Sequence, residues 1–240
     1  MNQDNGGIIG KINTPTTTVA SGVWSIQDQF EAQSSSTWPL AFPQTTIANA
    51  CRFDDGSSDY LSRNLTSDRQ TWTWSAWVKR SLISSYQNMF ASGTAGSNDT
   101  AFNFNGDDTL SFYHRQSSSI RGYFQSSAKL RDASAWYNFV INFDSTNSTG
   151  ADRLIIYVNG SRIDGTMNNT LPQNDSGYIG DGNATDIGRM PSGGANHFDG
   201  YMAEVVFISG QILGPTSFGA TNPVTNIWEP ISYAGTYGTN

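Results

Sequence analysis

A single cysteine, Cys51, leaves this chain of 240 residues without an intramolecular disulfide and without a thiolate zinc site. The fold must therefore hold by burial and backbone pairing alone. Charge is scarce as well: Asp, Glu, Lys and Arg together make up 14% of the chain, and its 13 cationic residues are outnumbered to a formal net charge of -7. Nucleic acid and anionic membrane surfaces both need clustered Lys and Arg, so neither is a partner this composition supports. No run approaches the roughly 20 apolar residues of a membrane-spanning helix. Residues 1–10 have no basic start followed by a long apolar stretch, so no secretory leader is expected there. What the chain has in quantity is amide and hydroxyl, with Ser, Thr, Asn and Gln supplying about a third of it. Such a surface is kept in solution by hydrogen bonding to water instead of by charge. The Asn-x-Ser/Thr triplets at Asn64, Asn98, Asn159 and Asn183 are what this composition produces by chance.

Helical periodicity is almost missing; the one short candidate is 24–32. Strand signals recur instead, as short runs of alternating apolar and polar residues separated by Gly, Asn, Asp and Ser clusters. In 136–143, Tyr137, Phe139, Ile141 and Phe143 fall on one face, with Trp136, Asn138, Val140 and Asn142 on the other. In 71–80, Trp72, Trp74, Ala76 and Val78 alternate with Thr73, Ser75, Trp77 and Lys79. The apolar run 153–158 ends in Asn159-Gly160, a dipeptide suited to the positive φ angles of a type I′ turn, and 161–163 reads as the return strand. Further strands are expected at 48–53, 88–91, 101–104, 110–114, 120–125, 185–189 and 201–208. About ten strands without crossover helices imply an all-β fold of two antiparallel sheets packed face to face. Residues 1–45 are rich in Thr, Ser and Pro, and isolated anchors such as Ile8, Trp24 and Trp38 cannot build a core. They form an irregular arm, expected to dock on something else. The strand-rich block occupies 46–212 and a C-terminal extension 213–240.

Several of these landmarks carry a resemblance. Phe53-Asp54-Asp55-Gly56, Asp59-Tyr60-Leu61, Trp74-Ser75-Ala76-Trp77-Val78-Lys79, Trp136-Tyr137-Asn138-Phe139-Val140, the hairpin 154–160, Ile187-Gly188-Arg189 and Phe198-Asp199-Gly200-Tyr201 follow one another in an order that resembles the laminin-G-like, concanavalin A-like lectin/glucanase jelly roll. A narrower resemblance lies in the flanks. Gly7-Ile8-Ile9-Gly10, Ala20-Ser21-Gly22-Val23-Trp24-Ser25, Trp38-Pro39, Phe207-Ile208-Ser209-Gly210 and Tyr237-Gly238-Thr239-Asn240 are similar to virion structural proteins of tailed phages, especially marine ones.

Relatives of the jelly roll that cleave polysaccharides need two carboxylates flanking one bond. Of the three glutamates, Glu31, Glu204 and Glu229, only Glu204 lies inside the strand block, and none sits in the Glu-x-Asp-x-x-Glu pattern of the glucanase branch. Asp199 and Glu204, five apart, point to opposite faces if both are in extended backbone. His114 reads as a polar residue at a strand end, His197 as a loop residue and Cys51 as a small buried hydrophobe. With no nucleophile elbow beside a histidine, no catalytic residue is assigned and the chain reads as a non-enzyme.

The resemblance also implies a structural calcium ion in some relatives. The loop that would supply acids in the pentraxin pattern is Arg189-Met190-Pro191-Ser192-Gly193-Gly194, which has no carboxylate. The acidic loop Asp181-Gly182-Asn183-Ala184-Thr185-Asp186 offers oxygen ligands, but Asp181 and Asn183 are expected first to shape a turn through side-chain to backbone bonds. No metal site and no cofactor is assigned. Trp77 and the loops 117–120 and 192–197 are the places where a sugar could be met, without a defined ligand site. The expectation is a phage virion structural protein, of tail, fibre or capsid, tethered by residues 1–45 to other virion proteins. A host glycan is its alternative ligand and polysaccharide depolymerisation the less favoured role. Since fibre-type phage proteins are commonly trimers, a homotrimer is the arrangement the resemblance suggests.

Overall fold

The computed structural model describes residues 25–35, 47, 49–192, 196–223 and 225–238. The proposed anchors Ile8, Trp24 and Trp38 lie outside these described residues. The chain divides into two compact units, Met1–Thr45 with Thr221–Glu229, and Thr46–Ala220 with Pro230–Asn240. In the first, helix α1 (Ile26–Ser34) starts two residues later than the periodicity suggests. Ser25 caps it: the Asp28 backbone N–H donates to Ser25 Oγ (3.1 Å) and the Ser25 N–H to Asp28 Oδ2 (3.2 Å), a reciprocal pair that satisfies two free donors of the first turn. Ile26 and Phe30, one turn apart, are exposed.

The second unit is a β-sandwich. Its strands are β1 (Cys51–Phe53), β2 (Leu61–Thr66), β3 (Thr71–Arg80), β4 (Gln87–Thr94), β5 (Asn98–Phe104), β6 (Thr109–Gln116) and β7 (Ser119–Lys129). They continue with β8 (Tyr137–Asp144), β9 (Leu154–Val158), β10 (Ser161–Arg162), β11 (Gly165–Asn169), β12 (Asp181–Ile187) and β13 (Gly200–Ser209). One sheet has six strands in the order β1-β13-β3-β8-β9-β10, the other seven in the order β11-β7-β6-β5-β4-β12-β2. The pairings are antiparallel, as the lack of crossover helices requires. Asn159 and Gly160 take φ of +48° and +83°, the left-handed pair that closes the β9–β10 hairpin. Strands β2 and β11 were not expected. Both are edge strands, mostly exposed, and carry no apolar alternation to mark them.

Period-two patterning decides which side chains meet between the sheets. Trp72, Trp74, Phe139, Ile141 and Phe143 from one sheet pack against Phe90, Phe102, Phe104, Leu110 and Phe112 from the other, all within 3% of full burial. Trp72 stacks on Phe143 (5.0 Å between centroids, 3° between planes) and Trp74 on Phe90 (5.3 Å, 13°). Such rings contribute by area and by oriented quadrupoles. An ion pair also lies inside: Arg80 meets Asp108 at 3.1 Å with both side chains essentially unexposed. Arg80 donates to the Leu130 carbonyl (2.7 Å) and lies 4.1 Å over the Phe104 ring, while Arg131 and the Ser84 N–H reach the same Asp108 carboxylate. Burial pushes the Asp108 carboxyl up, but these donors outweigh it and hold it below its ordinary value.

The outward face of the six-stranded sheet is covered as well. Phe218, with Leu213 and Tyr233, packs on Val140, Val206 and Ile208. Thr73 Oγ1 fastens this segment by donating to the Gln211 carbonyl (2.8 Å) and accepting from the Leu213 N–H (3.0 Å). Hence Asn138 and Val140, on the outward parity of β8, are as buried as the core face. Trp77 has outward parity too and is only 5% exposed, so it offers no surface platform. Cys51 departs from expectation: it is exposed, at the start of the three-residue edge strand β1, where only Phe53 is buried.

Candidate functional site

At one end of the seven-stranded sheet, the β4–β5 turn, the approach to β12 and the segment after it surround a cleft of about 410 Å³ lined by Gly93, Thr94, Asn98, Tyr178, Asp181, Asn183, Ala184, Pro191 and Ser192. Each wall is set by local chemistry. Gly93 has φ of +99°, and a Cβ there would run into the backbone of Asn98, so the turn closes this tightly only with glycine. Thr94 bridges to Ser192, bringing the segment after β12 against the turn. Asp181 opens β12 and arranges its own loop: Oδ1 accepts from the Asn183 N–H (3.0 Å) and Oδ2 from Asn183 Nδ2 (2.9 Å). This is the turn-shaping role expected of the pair, and it places a carboxylate and an amide side by side on the cleft wall.

Tyr178 is supported from beneath. Its N–H donates to Thr100 Oγ1 (3.0 Å), its hydroxyl donates to Asn98 Oδ1 (3.0 Å), and the Ser117 N–H fills the same Asn98 oxygen (2.7 Å). Thr100 Oγ1 is also 2.9 Å from His114 Nδ1, and the His114 ring lies 5.6 Å from that of Tyr178. His114 is therefore no strand-end surface residue. It projects inward from β6, is fully buried, and has Asp175 at 3.7 Å, which in turn accepts from Arg121 Nε at 3.1 Å. Burial drives its pKa down to about 4 in spite of Asp175, so at neutral pH it is an uncharged packing group. Arg69 holds the Gly177 carbonyl (2.7 Å) with its guanidinium carbon 5.7 Å from the Tyr178 ring centre.

The residues weighed for catalysis do not converge. Glu204 is exposed, with φ of +47°, in a bulge between Ala203 and Val206 that removes it from regular alternation. Asp199 lies near Asp55 and Asp54, and burial together with those carboxylates holds its pKa above the ordinary value. Glu31 and Glu229 belong to the other unit. His197 is buried in its loop, 6.5 Å from the Tyr60 ring. Arg189 pairs with Asp186 (2.7 Å) and lies 3.2 Å over Tyr60, so the loop that carries acids in the pentraxin pattern carries a committed cation here. Among the described residues no three His, Cys, Asp or Glu side chains are placed to hold a metal ion. A second cleft, of about 550 Å³ between Thr66, Ser67, Asp68 and Ser209 to Gln211, has no aromatic wall, and Asp68 Oδ1 is committed to the Gln70 and Thr71 N–H groups.

The sequence singles out Asp181 and Asn183 as a turn-shaping pair and the loop at Ser192 as a place to meet a sugar, but gives no sign of Tyr178, Asn98 or Thr94. Tyr178 lies in an irregular run with no periodicity, and Asn98 reads as one of many chance triplets. Only the fold joins positions 80 residues apart.

Residues 54–213 match the family described as the concanavalin A-like lectin/glucanases superfamily. No curated protein sequence matches the chain. Among solved structures, the CBM40 module of a Ruminococcus gnavus IT-sialidase bound to α2,3-sialyllactose aligns at 14% identity and TM-score 0.47, over 66% of this chain and 95% of that one. Domain 4 of AbnA, a GH43 arabinanase from Geobacillus stearothermophilus in complex with arabinotriose, aligns at 15% and 0.48, over 67% and 70%. Mouse laminin α1 domains LG4-5 align at 12% and 0.49, over 72% and 44%.

Proposed function

We propose, from the premise that the chain belongs to the concanavalin A-like lectin/glucanase superfamily, that it is a lectin-like module displayed on a tailed-phage particle and that it binds a glycan in the cleft around Tyr178 and Asp181. The observation that carries the glycan reading is the lining itself. An aromatic residue, two amides, a carboxylate and two hydroxyls converge on one concavity, the mixture that orients a polyhydroxylated ligand. The cleft is built in advance, since Asn98, Tyr178, Asp181 and Asn183 are already held by hydrogen bonds, which lowers the ordering cost of binding. The jelly-roll module is lectin-like by family.

The virion role rests on the flanking motifs of residues 7–10, 20–25, 38–39 and 237–240 and on the surface of amides and hydroxyls. In this reading the N-terminal arm mounts the module on other virion proteins, with aromatic anchors of the kind found at interface centres. Mass spectrometry of purified particles tests the location, and the chain's absence from them refutes it. A glycan array run at several calcium concentrations tests the ligand: silence throughout, from a folded protein, leaves a scaffold or decoration role only.

A further inference from the structure

Among the described residues, no Lys or Arg side chain lines this cleft. Asp181 is the one charged side chain in the lining. The surrounding arginines are turned to other partners: Arg115 to Asp99 (2.9 Å), Arg121 to Asp175 (3.1 Å), Arg189 to Asp186 (2.7 Å) and Arg69 to the Gly177 carbonyl (2.7 Å). Each Asp181 oxygen has accepted one bond from Asn183 and keeps acceptor capacity for a ligand hydroxyl. Asn98 Oδ1 already takes two donors, so its remaining capacity is the Nδ2 amine.

We infer that the cleft takes a neutral polyhydroxylated sugar, with neighbouring hydroxyls donating to the Asp181 carboxylate, and rejects sugars that bear a carboxylate, sulfate or phosphate. This rests on the reading of the cleft as a glycan site and adds the ligand class to it. An acidic sugar would bring a second negative charge against Asp181 in a partly desolvated space with no Lys or Arg in its lining to offset it. Like charges so placed weaken binding by roughly tenfold or more.

The test uses the full chain and matched probes: lactose, maltotriose and mannotriose against 3′-sialyllactose, sulfated lactose and trigalacturonate. Binding is followed by calorimetry and by the amide resonances of Asn98, Tyr178 and Asn183. Neutral probes should move those resonances, and each acidic probe should bind about tenfold more weakly or not at all. Asp181→Asn should shrink the ratio toward one, and Thr94→Lys, which adds a cation to the lining, should reverse it. Acidic probes binding as tightly as neutral ones overturn the inference while the glycan reading stands. An unchanged ratio in both folded variants overturns it too. If no probe of either class moves the cleft resonances, the glycan reading falls and takes this inference with it.

Discussion

Lowering the pH from 7 to 5 protonates His114 in the unfolded chain but not in the folded one, because its imidazole is fully buried between Thr100 and Asp175 and its pKa is brought down to about 4 by burial. An unfolded histidine titrates near 6.5. Between those two values the unfolded state binds more protons, so stability falls as pH falls. The contribution is complete above about pH 6.5 and is lost progressively on the way down to about 4. Integrating the two titrations gives a loss of about 2 kcal/mol between pH 7 and 5, and about 3 kcal/mol by pH 4. Other groups titrate in the same range: Asp99 and Asp199, whose pKa values are raised, oppose the trend. Comparison with His114→Gln isolates the histidine, since glutamine can keep a hydrogen bond to Thr100 without titrating. Urea unfolding followed by circular dichroism from pH 4.5 to 7.5 should show the difference between wild type and variant growing by about 2–3 kcal/mol over this range, at constant m-value. Parallel pH curves for the two proteins, or an imidazole resonance titrating above pH 6, would refute the reasoning.

Other perturbations have equally definite outcomes. Arg80→Met removes the internal partner of Asp108 and should lower unfolding free energy by roughly 3 kcal/mol, read from the urea midpoint. Phe102→Ala, at a fully buried ring in edge contact with Trp74 and Phe139, should cost about 3–5 kcal/mol by the same measurement. Gly93→Ala, at φ of +99° with the Asn98 backbone in the way, should cost about 1–3 kcal/mol and weaken glycan binding together with stability. Asn183→Ala, at an exposed position, should leave the melting temperature within a degree or two while weakening glycan affinity about tenfold, read by calorimetry.

The fold was legible wherever burial imposes period two on both partners of a pair. Strand β3 coincides with the expected 71–80 because its tryptophans alternate with Thr73 and Ser75, and β8 differs from expectation only by a residue at each end. Strands β2 and β11 escaped because an edge strand with one solvated side needs no apolar alternation. His114 and Cys51 were misjudged for one reason: chain position does not show whether a strand lies centrally or at an edge. β6 is an inner strand, so the polar residue is buried, whereas the thiol lies at the outer end of the edge strand β1 and is exposed. The candidate site was half legible. Asp181 and Asn183 act on each other two residues apart, whereas Tyr178 and Asn98 meet only through the antiparallel pairing of β4, β5 and β12.

The same topology explains why a ligand should be sought at the strand ends. The outward face of the six-stranded sheet is closed by Phe218, Leu213 and Tyr233, and part of the opposite outward face by Met190 lying on Ala91 and Ala101 beside Tyr113. Those faces have spent their apolar contacts on the chain itself. The ends of β4, β5 and β12 carry instead the turns whose positive-φ glycines, Gly93 and Gly182, let the backbone bend sharply while polar side chains stay directed into the open space. A rigid sandwich thus holds adaptable turns at a fixed spacing, and the turn residues can change without disturbing the rings beneath. The buried chain Thr100–His114–Asp175 under Tyr178, ending at the exposed Arg121, links the two regions. Protonating that chain should loosen the cleft before it unfolds the sandwich, so glycan affinity should decline as the pH falls through about 4, ahead of the loss of β-sheet ellipticity. Affinity and ellipticity falling together would place the acid sensitivity in the core as a whole and not beneath the site.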